Sequence, residues 1–315
     1  MAPETVGALL EDARALFDVA ADLEVTLEAN PTSIEIGRLS ALRDAGVNRI
    51  SIGIQSLDPE ALTMLGRGHS AAQAIEALGI ARRLFPRVSF DLIYARPGQS
   101  IAAWRDELRR ALDLVADHLS LYQLTIESGT KFEALHRAGG IVLPEDDLAA
   151  ELYETTQEEA ARFGLLPYEI SNYAKPGAES RHNLRYWRYG DYLGVGPGAH
   201  GRINRDGKLV ATRRHRAPEP WADRVEQFGH GLTEEIPLAP LETAREMLLM
   251  GLRLAEGISA DRFLARTGQT LESAIDGAAL RHAREADYVT WGDGRLTATA
   301  EGRRRLDSLL PFLVL

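Results

Sequence analysis

Glu28, Gln55 and Asp91 stand at the ends of three successive apolar, alternating stretches, and Arg67 lies just past the second of them. In a parallel α/β fold the C-terminal ends of the strands surround one mouth, so two carboxylates, a carboxamide and a guanidinium from distant positions can converge on one polar ligand. Taken singly, each reads equally well as a cap or a surface polar residue. A second group is His182-Asn183-Leu184-Arg185-Tyr186-Trp187. An imidazole with two aromatic rings within two helical turns can ligate iron and stack on a planar macrocycle. A histidine hydrogen-bonded inside a small aromatic core has the same composition, and residue type leaves both readings open. No second histidine stands at metal-ligand spacing, which disfavours zinc. Gly194-Val195-Gly196-Pro197-Gly198-Ala199-His200-Gly201 has the glycine content of a phosphate loop. No lysine follows it, so a tight turn is the plainer reading.

The first group needs strands to hold it. In Asn48 to Ser56, Ile50, Ile52 and Ile54 alternate with Ser51 and Gly53, which gives one apolar face and one face open to close approach, as in a buried parallel strand. Leu23 to Glu28, Val88 to Ile93 and Leu119 to Ile126 read as further strands. Helices are predicted from Pro3 to Phe17, from Ile34 to Ala45 with Ser33 as cap and Gly46 as stop, and over 59–65, 71–85 and 101–115. Strand and helix alternate about four times, the order of a parallel sheet with right-handed crossovers, either open or closed into a barrel.

An acidic helix follows over Pro144 to Phe163, then one short strand over Tyr168 to Tyr173. Lys175 to Gly201 carries too much glycine, arginine and aromatic bulk for a linker and reads as an ordered functional loop. From Ile236 the pattern changes to helices over 241–254, 259–266 and 271–285, a hairpin over 288–298 turning at Gly292-Asp293-Gly294, and a last helix over 301–310. Three helices and a hairpin suggest a winged-helix-like module.

The 315-residue chain has 45% hydrophobic and 26% charged residues, ordinary for a globular protein with a sizeable core. Its net charge of -10 argues against a nucleic-acid partner, and Arg303-Arg304-Arg305 is the one basic cluster of the C-terminal part. No apolar run approaches a membrane span and the N-terminus lacks a secretory pattern, so a cytoplasmic location is expected. Cysteine is absent, which removes thiolate nucleophiles and cysteine-ligated clusters from this chain.

Leu27-Glu28-Ala29-Asn30-Pro31, Gly46 to Ser56, Leu65-Gly66-Arg67-Gly68-His69 and Asp91 to Gln99 together resemble the radical S-adenosylmethionine proteins related to oxygen-independent coproporphyrinogen III oxidase. His182-Asn183-x-x-Tyr186-Trp187 is similar to the HNxxYW signature of the haem chaperones called HemW, and Gly196-x-Gly198-Ala199-His200-Gly201 follows it. The resemblance implies a partial (β/α) barrel over 1–235, with a haem-binding loop region at 168–202, and a C-terminal winged-helix-like domain over 236–315. It implies that Glu28, Gln55, Arg67, Asp91 and His200 contact S-adenosylmethionine, that Tyr186 and Trp187 bind haem, and that His182 ligates its iron. A haem chaperone serving an acceptor apoprotein is the leading expectation, and a membrane-protein client or a dimer fits it. An oxygen-independent coproporphyrinogen III oxidase-like enzyme is the alternative.

Members of that group begin with two strands this chain lacks. The first precedes a C-x-x-x-C-x-x-C loop holding a [4Fe-4S] cluster, the second a Gly-Gly-Gly-Thr-Pro segment that contacts S-adenosylmethionine. The chain therefore reads as N-terminally truncated, without the family's cluster ligands, and as a haem chaperone rather than a catalyst.

Overall fold

The computed structural model describes residues 2–33 and 36–314, which fall into two compact units divided between Glu179 and Ser180. The first unit opens on α1 (Pro3–Leu16), where Pro3 occupies the first turn and its missing N–H loses no bond. Four strands alternate with helices: β1 (Thr26–Ala29), α2 (Ile36–Asp44), β2 (Arg49–Gln55), α3 (Pro59–Met64), α4 (Ala71–Leu84), β3 (Arg87–Tyr94), α5 (Ile101–Leu112) and β4 (His118–Gln123). The expected start of α2 at Ile34 lies outside the described residues. Then come α6 (Lys131–Arg137), α7 (Asp146–Arg162), β5 (Leu166–Pro167) and β6 (Asn172–Ala174). The sheet order is β1-β2-β3-β4-β6-β5, parallel through the first four strands and antiparallel at β4–β6 and β6–β5. The sheet is open, with β1 at one edge.

The expected alternation governs packing. Ile50, Ile52 and Ile54 are fully buried, and Phe90, Leu92, Leu119 and Leu121 join them in a core completed by Trp104 and Leu108 of α5. Trp104 stacks on Tyr94 with ring centroids 5.0 Å apart, and its indole N–H donates to Thr156 Oγ1 at 2.8 Å, so the largest core side chain leaves no polar atom unpaired. Two expectations are corrected. β4 stops at Gln123 rather than Ile126, because β3 turns away at Ala95, which has φ 55°, and leaves Thr125 and Ile126 without a partner strand. The expected strand over 168–173 is β6, shifted to 172–174, because Glu169 holds the preceding residues in a turn by accepting from the Ser171 N–H at 2.7 Å and Asn172 Nδ2 at 2.6 Å.

In the second unit the stretch expected as a loop contains a short helix, α8 (Arg181–Trp187). β7 (His200–Arg205), β8 (Lys208–Arg214), α9 (Pro218–Phe228) and β9 (Leu232–Pro237) follow, and β7-β8-β9 form an antiparallel sheet. Asp206 and Gly207 turn from β7 to β8, both left-handed at φ 53° and 77°, as a two-residue hairpin requires. The chain ends with α10 (Pro240–Gly251), β10 (Ile258–Ser259), α11 (Ala260–Thr267), α12 (Leu271–Ala274), α13 (Gly277–Glu285), β11 (Val289–Gly292), β12 (Arg295–Ala298), α14 (Ala300–Arg304) and α15 (Leu306–Leu313), with strand order β10-β12-β11. The single helix expected over 271–285 breaks in two because Asp276 turns its carboxylate back to cap α13, accepting from Ala278 and Ala279 N–H at 2.9 and 2.7 Å. Glu301 pairs with both Arg304 and Arg305, so one carboxylate offsets part of the charge of the arginine run.

Candidate functional site

The second face of the first unit's sheet is polar. Glu28 lies opposite Ser51, Ser51 opposite Ser89, and Asp91 opposite Ser120. Arg49 Nη2 donates to Ser89 Oγ at 2.9 Å, Ser89 Oγ to Ser51 Oγ at 3.0 Å, and Ser51 Oγ to Asp91 Oδ1 at 3.3 Å. Asp91 is therefore central in β3, not at its end as the sequence reading placed it, because β3 goes on pairing with β4 as far as Tyr94. Burial pushes the Asp91 carboxyl up from 3.8 to about 6; the hydroxyls of Ser120 and Ser51 and the charge of Arg49 oppose the rise, while Glu28 adds to it. A half-buried acid with hydroxyl neighbours and a like-charged neighbour is suited to a cationic or hydroxyl-bearing ligand.

Gln55 ends β2 in the left-handed region at φ 71°, where the ladder to β3 shifts register. A Cβ at Gly53 would stand 3.0 Å from Gln55 Nε2 and 3.6 Å from Asn30 Oδ1, so the missing side chain is what leaves room for the carboxamide on the polar face. Arg67 is partly exposed and forms no ion pair among the described residues. Its loop is clamped to the end of β2 by buried His69, whose Nε2 lies 3.0 Å from the carbonyl of Ile54.

Several residues that hold this face escaped the sequence reading. Glu107 of α5 accepts from Ser56 Oγ at 2.5 Å and the Leu57 N–H at 2.8 Å and pairs with Arg96, which also donates to Ser56. This buried knot ties the ends of β2 and β3 to one helix. Below Asp91, burial holds both the Arg49 guanidinium and the His118 imidazole under their ordinary values, and each is pushed further by cationic neighbours, Arg87 for Arg49 and Arg49 and Arg87 for His118. Their signal was the polar alternate positions of strands read mainly for their apolar ones.

In the second unit, Ser180 caps α8, its Oγ accepting from the Asn183 N–H at 3.3 Å. His182 and Tyr186 stand four residues apart and share a helix face, with rings edge to face and centroids 4.7 Å apart. Tyr192 extends this aromatic surface, 4.3 Å from Tyr186, and His182 is exposed. Trp187 is placed apart from them. It lies about 140° round the helix from His182, with the Arg253 guanidinium 4.6 Å over its ring. The end of α8 is anchored by Tyr189, left-handed at φ 53°, which donates to Glu246 at 2.5 Å, and by Arg202, which grips the same carboxylate with two bonds of 2.8 Å.

His200 opens β7, exposed and opposite Arg213. A Cβ on Gly194 would meet the His200 carbonyl oxygen at 2.1 Å, so this glycine serves close backbone approach within a turn, as expected, rather than a phosphate. Among the described residues no three His, Cys, Asp or Glu side chains group as a metal site. The chain supplies no thiolate for an iron–sulfur cluster. No helix among the described residues is long and apolar enough to cross a membrane.

Two family descriptions match this architecture: the radical SAM superfamily over residues 3–111 and the HemN C-terminal domain over residues 238–305. The fold matches that of the radical SAM enzyme coproporphyrinogen III oxidase (HemN) from Escherichia coli with a TM-score of 0.79 at 21% identity, covering 99% of this chain and 74% of that one. The α/β fold is thus that of the radical SAM proteins. The chain is 37% identical to the heme chaperone HemW of Escherichia coli K12, over 97% of its own length and 79% of the relative's. It is 42% identical to the bovine radical S-adenosyl methionine domain-containing protein 1, mitochondrial, covering 99% of this chain and 72% of that protein. It belongs to the HemW-type family of radical SAM proteins.

Proposed function

We propose that this chain binds haem and passes it to an acceptor apoprotein, with His182 as the iron ligand and Tyr186 packed on the macrocycle. The observation that carries the reading is the exposed face of α8, where an imidazole and two tyrosine rings form one aromatic surface. The relatives named as heme chaperones support it. Trp187 supports the site from within, by fixing Arg253 against the helix. A cytoplasmic location and a functional boundary near residue 236 belong to the same proposal, the latter supported by the C-terminal family match that starts at residue 238.

The polar face of the first unit fits S-adenosylmethionine in donor type. Arg67 suits its carboxylate, Asp91 and Glu28 suit its amino group or ribose hydroxyls, and Gln55 can both donate and accept; His200 is added from its motif alone. S-adenosylmethionine supplies a sulfonium-activated carbon whose reductive cleavage needs an electron from an iron–sulfur cluster. The side chains present do not fit that cluster, since none of them is a thiolate. The coproporphyrinogen oxidase-like alternative is separated by incubating the protein anaerobically, under reducing conditions, with haem and with coproporphyrinogen. A Soret shift with haem and no change in coproporphyrinogen supports the chaperone. Decarboxylation of coproporphyrinogen supports the enzyme.

A further inference from the structure

The residues around α8 carry the opposite charge to the chain as a whole, whose net charge is -10. A cavity of about 80 Å³ beside the helix is lined by Trp187, Arg188, Arg262 and Arg295, with Glu256 the carboxylate in its wall. Glu256 is already taken: Arg188 grips it with bonds of 2.8 and 2.7 Å, and Arg295 approaches to 3.9 Å. Arg266 is likewise engaged by Asp191 at 2.6 Å. Arg262 and Arg185 form no ion pair among the described residues. Arg262 is exposed, yet desolvation and the charge of Arg188 hold it below its ordinary value; Glu256 opposes this, and Arg185 and Arg266 add to it. Two guanidinium groups thus stand without an ion pair among the described residues, among arginines of like charge, an arrangement that a bound anion relieves.

Geometry ties these cations to the histidine. Round α8 in steps of about 100° per residue the order is Arg188, Arg185, His182, Tyr186, so Arg185 stands between Arg188 and the imidazole. Arg185 is exposed, and its side chain lies flat across Gly190, where a Cβ would come within 2.4 Å of its Cδ. The cavity is too small for a tetrapyrrole. It has room for about two or three water-sized groups, enough for a carboxylate arm.

Resting on the haem reading of His182 above, we propose that Arg185 and Arg262 are the anchor for the propionate carboxylates of the haem, and so set the orientation in which the macrocycle lies on α8. Arg188 and Arg295 are positioning residues, which engage the Glu256 carboxylate in the cavity wall.

The test compares haem with haem dimethyl ester, in which both propionates are blocked, titrated into the whole chain in the same mild detergent and read by the Soret band. Haem is expected to bind at least about tenfold more tightly than the ester, as loss of a charge-assisted hydrogen bond implies. In Arg185→Gln/Arg262→Gln the two ligands should bind alike, at the wild-type ester's affinity and with the His182-dependent band position unchanged. Equal binding of haem and ester by the wild-type chain, with the Soret shift intact, overturns the propionate anchor and leaves the haem reading standing. A preference for haem that survives in the double variant overturns the choice of arginines. Absence of any His182-dependent shift with either ligand overturns both readings. The ester arm uses the unaltered chain, so it decides the question even if the double variant folds poorly.

Discussion

Asp91 offers a test in which stability and function pull in opposite directions. Its carboxyl is raised from 3.8 to about 6, chiefly by burial, so the folded chain binds the proton more tightly than the unfolded one. Stability from this group is complete below pH 3.8 and is lost as pH rises through about 6. The full shift corresponds to about 3 kcal/mol. By linkage, about 1.6 kcal/mol of the cost is already present at pH 5 and about 3 kcal/mol by pH 8. Asp91→Asn keeps an acceptor for Ser51 and removes the desolvated charge, so it should stabilise the chain. Its advantage should grow by about 1.4 kcal/mol between pH 5 and pH 8. Urea unfolding of both proteins at these two pH values, with unchanged m-values, measures it. An advantage that is constant with pH, or a variant less stable than wild type at pH 8, refutes the idea that a half-buried carboxylate is held here against its own solvation. Such a cost in a polar, hydroxyl-lined face marks a residue kept for a ligand rather than for the fold.

Glu107→Ala leaves Arg96 buried without its partner and strips the acceptor from Ser56 and the Leu57 N–H; the expected loss is about 3 kcal/mol in urea unfolding, and a loss below about 1 kcal/mol would show that the knot is dispensable. Among the described residues β1 is an edge of its sheet with no strand paired on its outer side, so the isolated chain should self-associate; a monomer by light scattering at working concentrations would contradict this. S-adenosylmethionine should bind this chain more weakly than about 100 µM, since only side-chain contacts on one polar face are on offer; a calorimetric constant in the low micromolar range would mean that face alone suffices.

Much of the fold could be read from Ile50, Ile52 and Ile54, because a period of two with every second residue apolar has few solutions other than a buried strand. The small residues between them, Ser51 and Gly53, announced a face that something else must approach, and in the structure Asp91 and Gln55 occupy it. Glu107 was not legible, because an acid on a predicted amphipathic helix looks solvated until Arg96 and Ser56 arrive from just past two strand ends, 11 and 51 positions away. The hairpin over 200–214 was missed although Asp206-Gly207 signalled it, because the glycine-rich turn before it masks the alternation that follows. Trp187 looked like a partner of His182 in sequence; five residues of helix carry it to another face, which spacing alone predicts once a helix is assumed.

His182 is the residue on which the proposed haem binding depends, and a haem titration of the whole chain and its His182→Ala variant tests it most directly. The wild-type chain should give a shifted Soret band that His182→Ala abolishes, while Tyr186→Phe only weakens affinity and His200→Ala changes neither band nor affinity. If His182→Ala leaves the band and the affinity unaltered and His200→Ala removes both, the iron is held at the start of β7 and the proposed site on α8 is wrong.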